Sequence, residues 1–257
     1  MGEALVSGLL DAGFERESIS VAEIDPDRRH VIEEQFPDVR IVPSPAWAVA
    51  DADVVIVALK PPDVSAALEA AAASLPADAL VLSIAAGITI AELEAAAPGR
   101  PVIRAMPNTP ALVRRGASAI AAGTRATESD LERAERLLGA VGIVVRVPET
   151  MLDAVTGLSG SGPAYVFLLA EGLIEGGVLN GLPRDIATAL VHQTIFGAGA
   201  LLVDSDEGPE ALRAAVTSPG GTTAAGLRAL EQGSMRGAIL DAVTAATERS
   251  RELGQPR

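Results

Sequence analysis

Apolar residues recur along this chain with two different spacings, and the change from one to the other divides it. Between Ile19 and Val147 short apolar runs alternate with helical stretches. The runs are ISVAEI (19–24), VRIV (39–42), DVVIVAL (53–59), ALVLSI (79–84), PVIRAM (101–106), ASAIAA (117–122) and GIVVRV (142–147). Segments such as DPDRRHVIEEQF, PPDVSAALEAAAASL, TIAELEAAA and TESDLERAERLLGAV lie between them and read as helices. Several runs are apolar throughout rather than alternating. Strands read that way when both faces are covered, so the pattern predicts a parallel sheet between helical layers.

After Pro148 no strand-like run follows, and helical segments succeed one another, punctuated by LSGSGPAY, NGLPRD, DSDEGPE and TSPGGTT. Ser161, before Gly162 and Pro163, reads as a helix cap with proline in the first turn, and Pro183 and Pro209 mark two more starts. YVFLLAEGLIEGGVL and ATALVHQTIFGAGALLV are apolar on more than one face, which predicts that a second copy of the chain covers them. The expected organisation is an α/β domain over residues 1–148 and an all-α domain over 149–257. The first helix, Glu3 to Ala12, ends at Gly13 and has no strand ahead of it, although a doubly wound domain is expected to feed such a helix from a strand.

Composition narrows the chemistry. Aromatics supply only 2% of the 257 residues, so Ala, Val, Leu and Ile must build the core. Without cysteine, and with only His30 and His192, thiolate and zinc sites are not expected. The net charge of −14, with 34 acidic residues against nineteen arginines and one lysine, argues against nucleic acid, whose binding needs a basic face. An evenly acidic, lysine-poor surface suits a salt-rich cytoplasm. No unbroken apolar run reaches the roughly 18 residues of a membrane span, and the N-terminus carries no export or anchoring pattern.

Hydrolytic chemistry finds little support. GLSGSG (157–162) misses the nucleophile pattern G-x-S-x-G and follows no strand. His30 sits in a polar helix and His192 in an apolar one, both more simply structural. Glu171 and Glu175 share a helical face, as some acidic pair must in so acidic a chain, and Gly197 and Gly199 fit close helix packing.

Three stretches carry more. In DVVIVALKPP a buried strand ends at Ala58, Leu59 and Lys60 before Pro61, and ligands of parallel sheets bind beyond the carboxyl ends of strands. Two further strands end in small or polar residues, Ala85, Ala86 and Gly87 in one case, Asn108 and Thr109 in the other, where a flat ring could approach the backbone. In VTSPGGTTAAGL, Gly220 and Gly221 expose successive N–H groups just before a helix that Thr222 or Thr223 could cap, a nest suited to a carboxylate or to nothing more than an elaborate cap.

With ADVVIVALKPP, SIAAGITI, IRAMPNTP, LDAVTGLSGSGPAYVFLLAEGL, GLPRDIA and VTSPGGTTAAGLRALE, nearly the whole chain resembles the pyrroline-5-carboxylate reductases, which make proline. The resemblance implies a Rossmann-like domain holding NADPH or NADH and a helical domain that dimerises and can assemble into larger rings. It implies further that Ser218, Gly220, Gly221 and Thr222 hold the substrate carboxylate of 1-pyrroline-5-carboxylate, and that Thr223 reaches the ring nitrogen. Gly2, Ala58, Lys60, Pro61, Ala85, Ala86 and Asn108 would then lie along the cofactor. It also places the first strand and two fingerprint glycines ahead of Met1 and Gly2, an expectation that the coding sequence upstream of Met1 would test.

Two departures qualify it. Ala215 stands where the family often has a polar residue. Glu23 and Asp25 close the strand that would meet the adenosine ribose, where a carboxylate accepts a hydroxyl of NADH and repels the 2′-phosphate of NADPH, so NADH is favoured, with Arg28 and Arg29 arguing the other way. Competing readings are a two-domain β-hydroxyacid or imine reductase, which would need a lysine beyond Lys60, and a non-catalytic dinucleotide-binding dimer.

Overall fold

A computed structural model describes residues 1–254. All seven expected strands form: β1 (Ser20–Ala22), β2 (Arg40–Val42), β3 (Val54–Val57), β4 (Leu80–Ser83), β5 (Val102–Met106), β6 (Gly116–Ala122) and β7 (Gly142–Arg146). Helix α1 (Gly2–Asp11) stands ahead of β1, and between the strands stand α2 (Pro26–Gln35), α3 (Pro45–Val49), α4 (Val64–Ala71), α5 (Ile90–Ala96) and α6 (Glu128–Gly139). The short α3, too brief for a periodic signature, is the one the apolar pattern does not announce.

The expectation of a single parallel sheet needs two corrections. Strands β3-β4-β5-β6-β7 form one sheet and β1-β2 another. Among the described residues β1 pairs only with β2, and β3 only with β4. In the larger sheet the β5–β6 ladder is antiparallel. The reason is the connector. A parallel return needs a crossover of about a dozen residues or more, usually a helix, whereas Met106 reaches Gly116 through one 3-10 turn, Thr109–Val113. The longer connection through α6 then makes β6 and β7 parallel.

Side chains alternate across β4, and both faces are sealed. Leu80 and Leu82 pack with Leu5, Ile103, Ile120 and Leu138, while Val81 packs with Leu68, Leu93 and Val102. All four β4 residues, the terminal Ser83 included, are 0% exposed, which is why the run shows no alternation of apolar and polar positions. Local chemistry fixes the helix starts: Thr89 with Glu92 and Thr127 with Asp130 form reciprocal capping boxes for α5 and α6. This unit is the Rossmann-like α/β layer arrangement.

Beyond β7 come α7 (Leu152–Val155), α8 (Gly162–Leu179), α9 (Arg184–Asp204), α10 (Pro209–Ala215), α11 (Thr222–Gln232) and α12 (Met235–Leu253). By packing, the chain forms two compact units: Met1–Ser161 together with the stretch that begins at Ala245, and Gly162–Thr244. Residues 149–161 thus pack with the sheet, where Leu152, 0% exposed, sits against Ala119, Ala121 and Ile90. Ser250 of α12 donates to Asp153 Oδ1 at 2.7 Å within the same unit.

Ser161 does precede α8, which begins at Gly162 with Pro163 in its first turn, but it lacks the extended conformation of a helix cap. Its φ and ψ are helical, the segment Thr156–Gly160 widens into a π turn, and Ser161 N–H reaches Thr156 O at 2.8 Å, so one helical path runs from Glu149 to Leu179. Pro183 and Pro209 do open α9 and α10. Although no unbroken apolar run is that long, the helices over residues 149–179 and 184–204 are each, by length and composition, long and apolar enough to cross a membrane. Their apolar side chains stand exposed in the single copy, Leu179 at 86% and Val203 at 83%.

Candidate functional site

Each unit contributes a cluster of candidate residues. In the first, β3, β4 and β5 run parallel, so the segments after them emerge at one edge of the sheet. Ala58, Lys60 and Pro61 follow β3; Lys60 is exposed, opens the 3-10 turn Pro61–Asp63, and forms no ion pair among the described residues. Ala85 is buried after β4 and its N–H bonds Ser83 Oγ, so at this strand end only Ala86 and the backbone of Gly87, at φ +76°, are presented outward.

The start of α1 joins this edge. A Cβ on Gly2 would lie 3.4 Å from Ala58 Cβ, so the backbone approaches closely there. Met1, at the cap position of α1, makes no side-chain cap hydrogen bond among the described residues, and the first-turn N–H groups and positive dipole end of a helix suit an anion. A diphosphate fits that turn, and the alanines at the strand ends fit a flat ring, so the residues present suit a dinucleotide.

The end of β1 is more committed than its sequence suggests. Asp25 Oδ1 caps α2, accepting from Asp27 N–H at 2.9 Å and Arg28 N–H at 3.3 Å. Glu23 Oε1 accepts the Asp25 N–H at 3.0 Å. Of the two nearby arginines, Arg29 donates to the Glu23 carbonyl at 3.1 Å and Arg28 pairs with Glu3 of α1. Sequence reasoning missed that pair, since 25 residues separate its members.

Asn108, expected beside the cofactor, spends both ends of its amide within the protein. Oδ1 accepts from Ala117 N–H at 2.8 Å, and Nδ2 donates to Ser159 O at 3.0 Å. Glu149 is a second unforeseen tie: Oε1 accepts from the buried Arg104 at 3.0 Å and from Ile90 N–H at 2.7 Å.

In the second unit the loop before α11 brings Ser218, Gly220, Gly221, Thr222 and Thr223 together. Gly220 is left-handed at φ +70°, and Gly221 N–H closes the turn onto Ser218 O at 3.0 Å. The expectation that a threonine caps this helix is corrected. Gly221 occupies the cap, and Thr222 and Thr223 are the first two helical residues, with their hydroxyls unpartnered among the described residues. A capping hydroxyl would fill the nest; its absence keeps the first-turn N–H groups and the Thr223 hydroxyl available to a guest. Gly220, Gly221, Ala224 and Ala225 line a shallow hollow with Arg228, a cation that the 221, 224, 225, 228 spacing signals on one helix face.

The other candidates stay out of the site. Glu175 is tied to Arg184 at 2.9 and 3.2 Å, and that hydrogen bond holds its carboxyl below the usual range, as Arg146 does for Glu135. Both are surface ion pairs. His30 faces solvent beside Glu34.

Residues 149–253 match the family model described as pyrroline-5-carboxylate reductase dimerisation, and residues 1–87 match one described as NADP oxidoreductase, coenzyme F420-dependent. A pyrroline-5-carboxylate reductase of Mycobacterium tuberculosis is 46% identical over 98% of this chain and 93% of its own length. The chain belongs to the pyrroline-5-carboxylate reductases. A Synechocystis reductase is 43% identical over 99% of this chain and 95% of its own length. Among solved structures, the Coxiella burnetii reductase superposes with a TM-score of 0.93 at 34% identity, covering 99% of this chain and 95% of that one. The Plasmodium falciparum reductase, determined with NADP bound, gives 0.86 at 31% identity, covering 99% of this chain and 95% of that one. The region matched by the dimerisation family model includes α8 and α9, the helices whose apolar side chains stand exposed in the single copy.

Proposed function

We propose that this reductase converts 1-pyrroline-5-carboxylate to L-proline with reduced nicotinamide as hydride donor. The observation that carries the reading is the uncapped Gly220–Gly221 nest with the Thr223 hydroxyl, unpartnered among the described residues, beside it, a receptor for one carboxylate and one ring nitrogen. The nicotinamide cofactor, when bound, supplies the hydride that reaches the imine carbon. The protein's own share is orientation. First-turn N–H groups of α11 hold the carboxylate, with Ser218 fixing the turn and Thr222 supplying one of the N–H groups. Thr223 hydrogen-bonds the ring nitrogen, which must gain a proton as the C=N bond becomes C–N. Gly2, Asp25, Ala58, Lys60, Pro61, Ala85 and Ala86 lie along the dinucleotide, with Asn108 at the same edge.

A lean toward NADH over NADPH belongs to the same reading. Glu23 and Asp25 surround the position of the ribose hydroxyl, and Arg28 and Arg29 are already engaged, by Glu3 and by the Glu23 carbonyl. The functional division places the nucleotide domain at 1–148 and the substrate and dimerisation domain at 149–257. The dimer, a further ring of dimers and a salt-rich cytoplasm complete the proposal; the exposed α8 and α9 faces support the first and the net charge of −14 the last.

The test is oxidation of NADH and of NADPH by the purified protein with 1-pyrroline-5-carboxylate, run in high salt and followed by proline analysis. Absence of proline sinks the reading. Equal kcat/KM for both nucleotides removes the NADH preference alone.

A further inference from the structure

We propose that Asn108 is a positioning residue, one that supplies the hydrogen bond Pro163 cannot make and so fixes the π turn Thr156–Gly160 against the sheet edge. The proposal rests on the functional reading above only for its catalytic consequence.

Pro163 has no N–H, and in an α-helix its donor would have served the carbonyl four residues back, Ser159 O. That carbonyl is left without its regular partner in the middle of a helical path that runs from Glu149 to Leu179. Nearby the path is irregular. Ser161 N–H reaches back five residues to Thr156 O, and Thr156 Oγ1 and Ser159 Oγ turn back onto Leu152 O at 2.8 Å and Val155 O at 3.1 Å. π turns of this kind accompany functional sites. The missing donor comes from Asn108 Nδ2, 3.0 Å from Ser159 O and 51 residues away in sequence.

The other end of the same side chain is anchored in the sheet. The β5–β6 ladder pairs Met106 with Ala119 and pairs nothing beyond it, so the Ala117 N–H has no β5 partner and bonds Asn108 Oδ1 at 2.8 Å. A single amide therefore completes two deficits, one in a sheet and one in a helix. Only asparagine or glutamine carries donor and acceptor in that fork; aspartate keeps the acceptor and loses the donor.

Pro163→Ala gives the helix back its own N–H and makes Asn108 dispensable at Ser159, which supplies the test. Asn108→Asp, Pro163→Ala and the double variant are compared by melting temperature, by fluorescence titration of NADH and NADPH, and by kcat and KM. Expected are a lowered melting temperature and a roughly ten- to hundredfold loss of kcat in Asn108→Asp, from displacement of the sheet edge. The double variant should return to within about threefold of Pro163→Ala. A double variant that stays as impaired as the single one, with nucleotide binding weakened equally in both, overturns the proposal and makes Asn108 a cofactor ligand. Unchanged stability and turnover in Asn108→Asp overturn it too. If Asn108→Asp does not fold, a folded double variant supports the proposal and an unfolded one refutes it. Melting and nucleotide titration read out this role whichever imine is reduced, so failure of the substrate assignment would be separate.

Discussion

Replacing Gly220 by alanine isolates the shape of the substrate nest from its bulk. Nothing lies within 4 Å of a Cβ built at this position, so no neighbour is pushed aside. The whole penalty is conformational, because φ is +70° and an L side chain resists the left-handed region by roughly 1–2 kcal/mol. If the nest must hold that conformation to accept the carboxylate, the loop relaxes away from it and KM for 1-pyrroline-5-carboxylate rises by about 5- to 30-fold, the factor those energies give. The melting temperature should fall by roughly 2–8 °C, as expected for a chain of this size. Gly220→Asn is the control, since asparagine visits the left-handed region more readily, and it should retain most of the affinity. Gly221→Ala acts differently: at an ordinary φ of −77° its new Cβ falls 2.4 Å from Ser218 Oγ, which must rotate away, and 3.2 Å from the Ser218 carbonyl that closes the turn, so the turn is crowded rather than strained in its own φ. Steady-state kinetics at saturating NADH distinguish these cases. An unchanged KM in Gly220→Ala, or an equal loss in the alanine and asparagine variants, refutes the argument that backbone shape builds the site.

Thr223→Ala should lower kcat by tenfold or more with little change in KM, since the hydroxyl serves the nitrogen as it gains its proton; unaltered turnover removes it from the mechanism. Glu3→Ala releases Arg28, and the ratio of NADH to NADPH affinity in fluorescence titrations should shift toward NADPH, whereas an unmoved ratio would mean Arg28 never meets the ribose. Glu135 is held below the ordinary carboxylate range by its hydrogen bond from Arg146. That pair therefore stabilises the fold above the usual carboxylate range and loses its contribution as pH falls through the lowered value. Arg146→Ala should weaken stability at neutral pH and flatten the acid limb of a melting-temperature profile; an acid limb identical to that of the unaltered protein would show the pair to be inert.

The central strands were legible because burial on both faces leaves runs such as Leu80, Val81 and Leu82 apolar throughout, with only an occasional buried polar residue such as Ser83 or Arg104 among them. The direction of β6 was not, since a run of apolar residues looks the same read in either direction and only the short connector from Met106 decides. SGP at 161–163 reads as a fresh helix start, and α8 does begin at Gly162; what the local sequence hides is that the preceding π turn already carries the helical path into it and that Asn108 supplies the hydrogen bond Pro163 cannot. The nest was visible in Gly220 and Gly221, yet the choice of Gly221 over a threonine as cap depends on a turn whose partner, Ser218, carries no distinguishing signature. Arg28 with Glu3 and Arg104 with Glu149 follow from chain crossings that no periodicity records.

Lys60 gives the protein a practical handle. It is the only ε-amine in the 257 residues, it is exposed, and it stands at the strand end where the dinucleotide is proposed to lie. An amine-reactive dye applied to the intact reductase would place its lysine label at one known point without any engineered cysteine, and the emission of that label would follow nucleotide entry in real time.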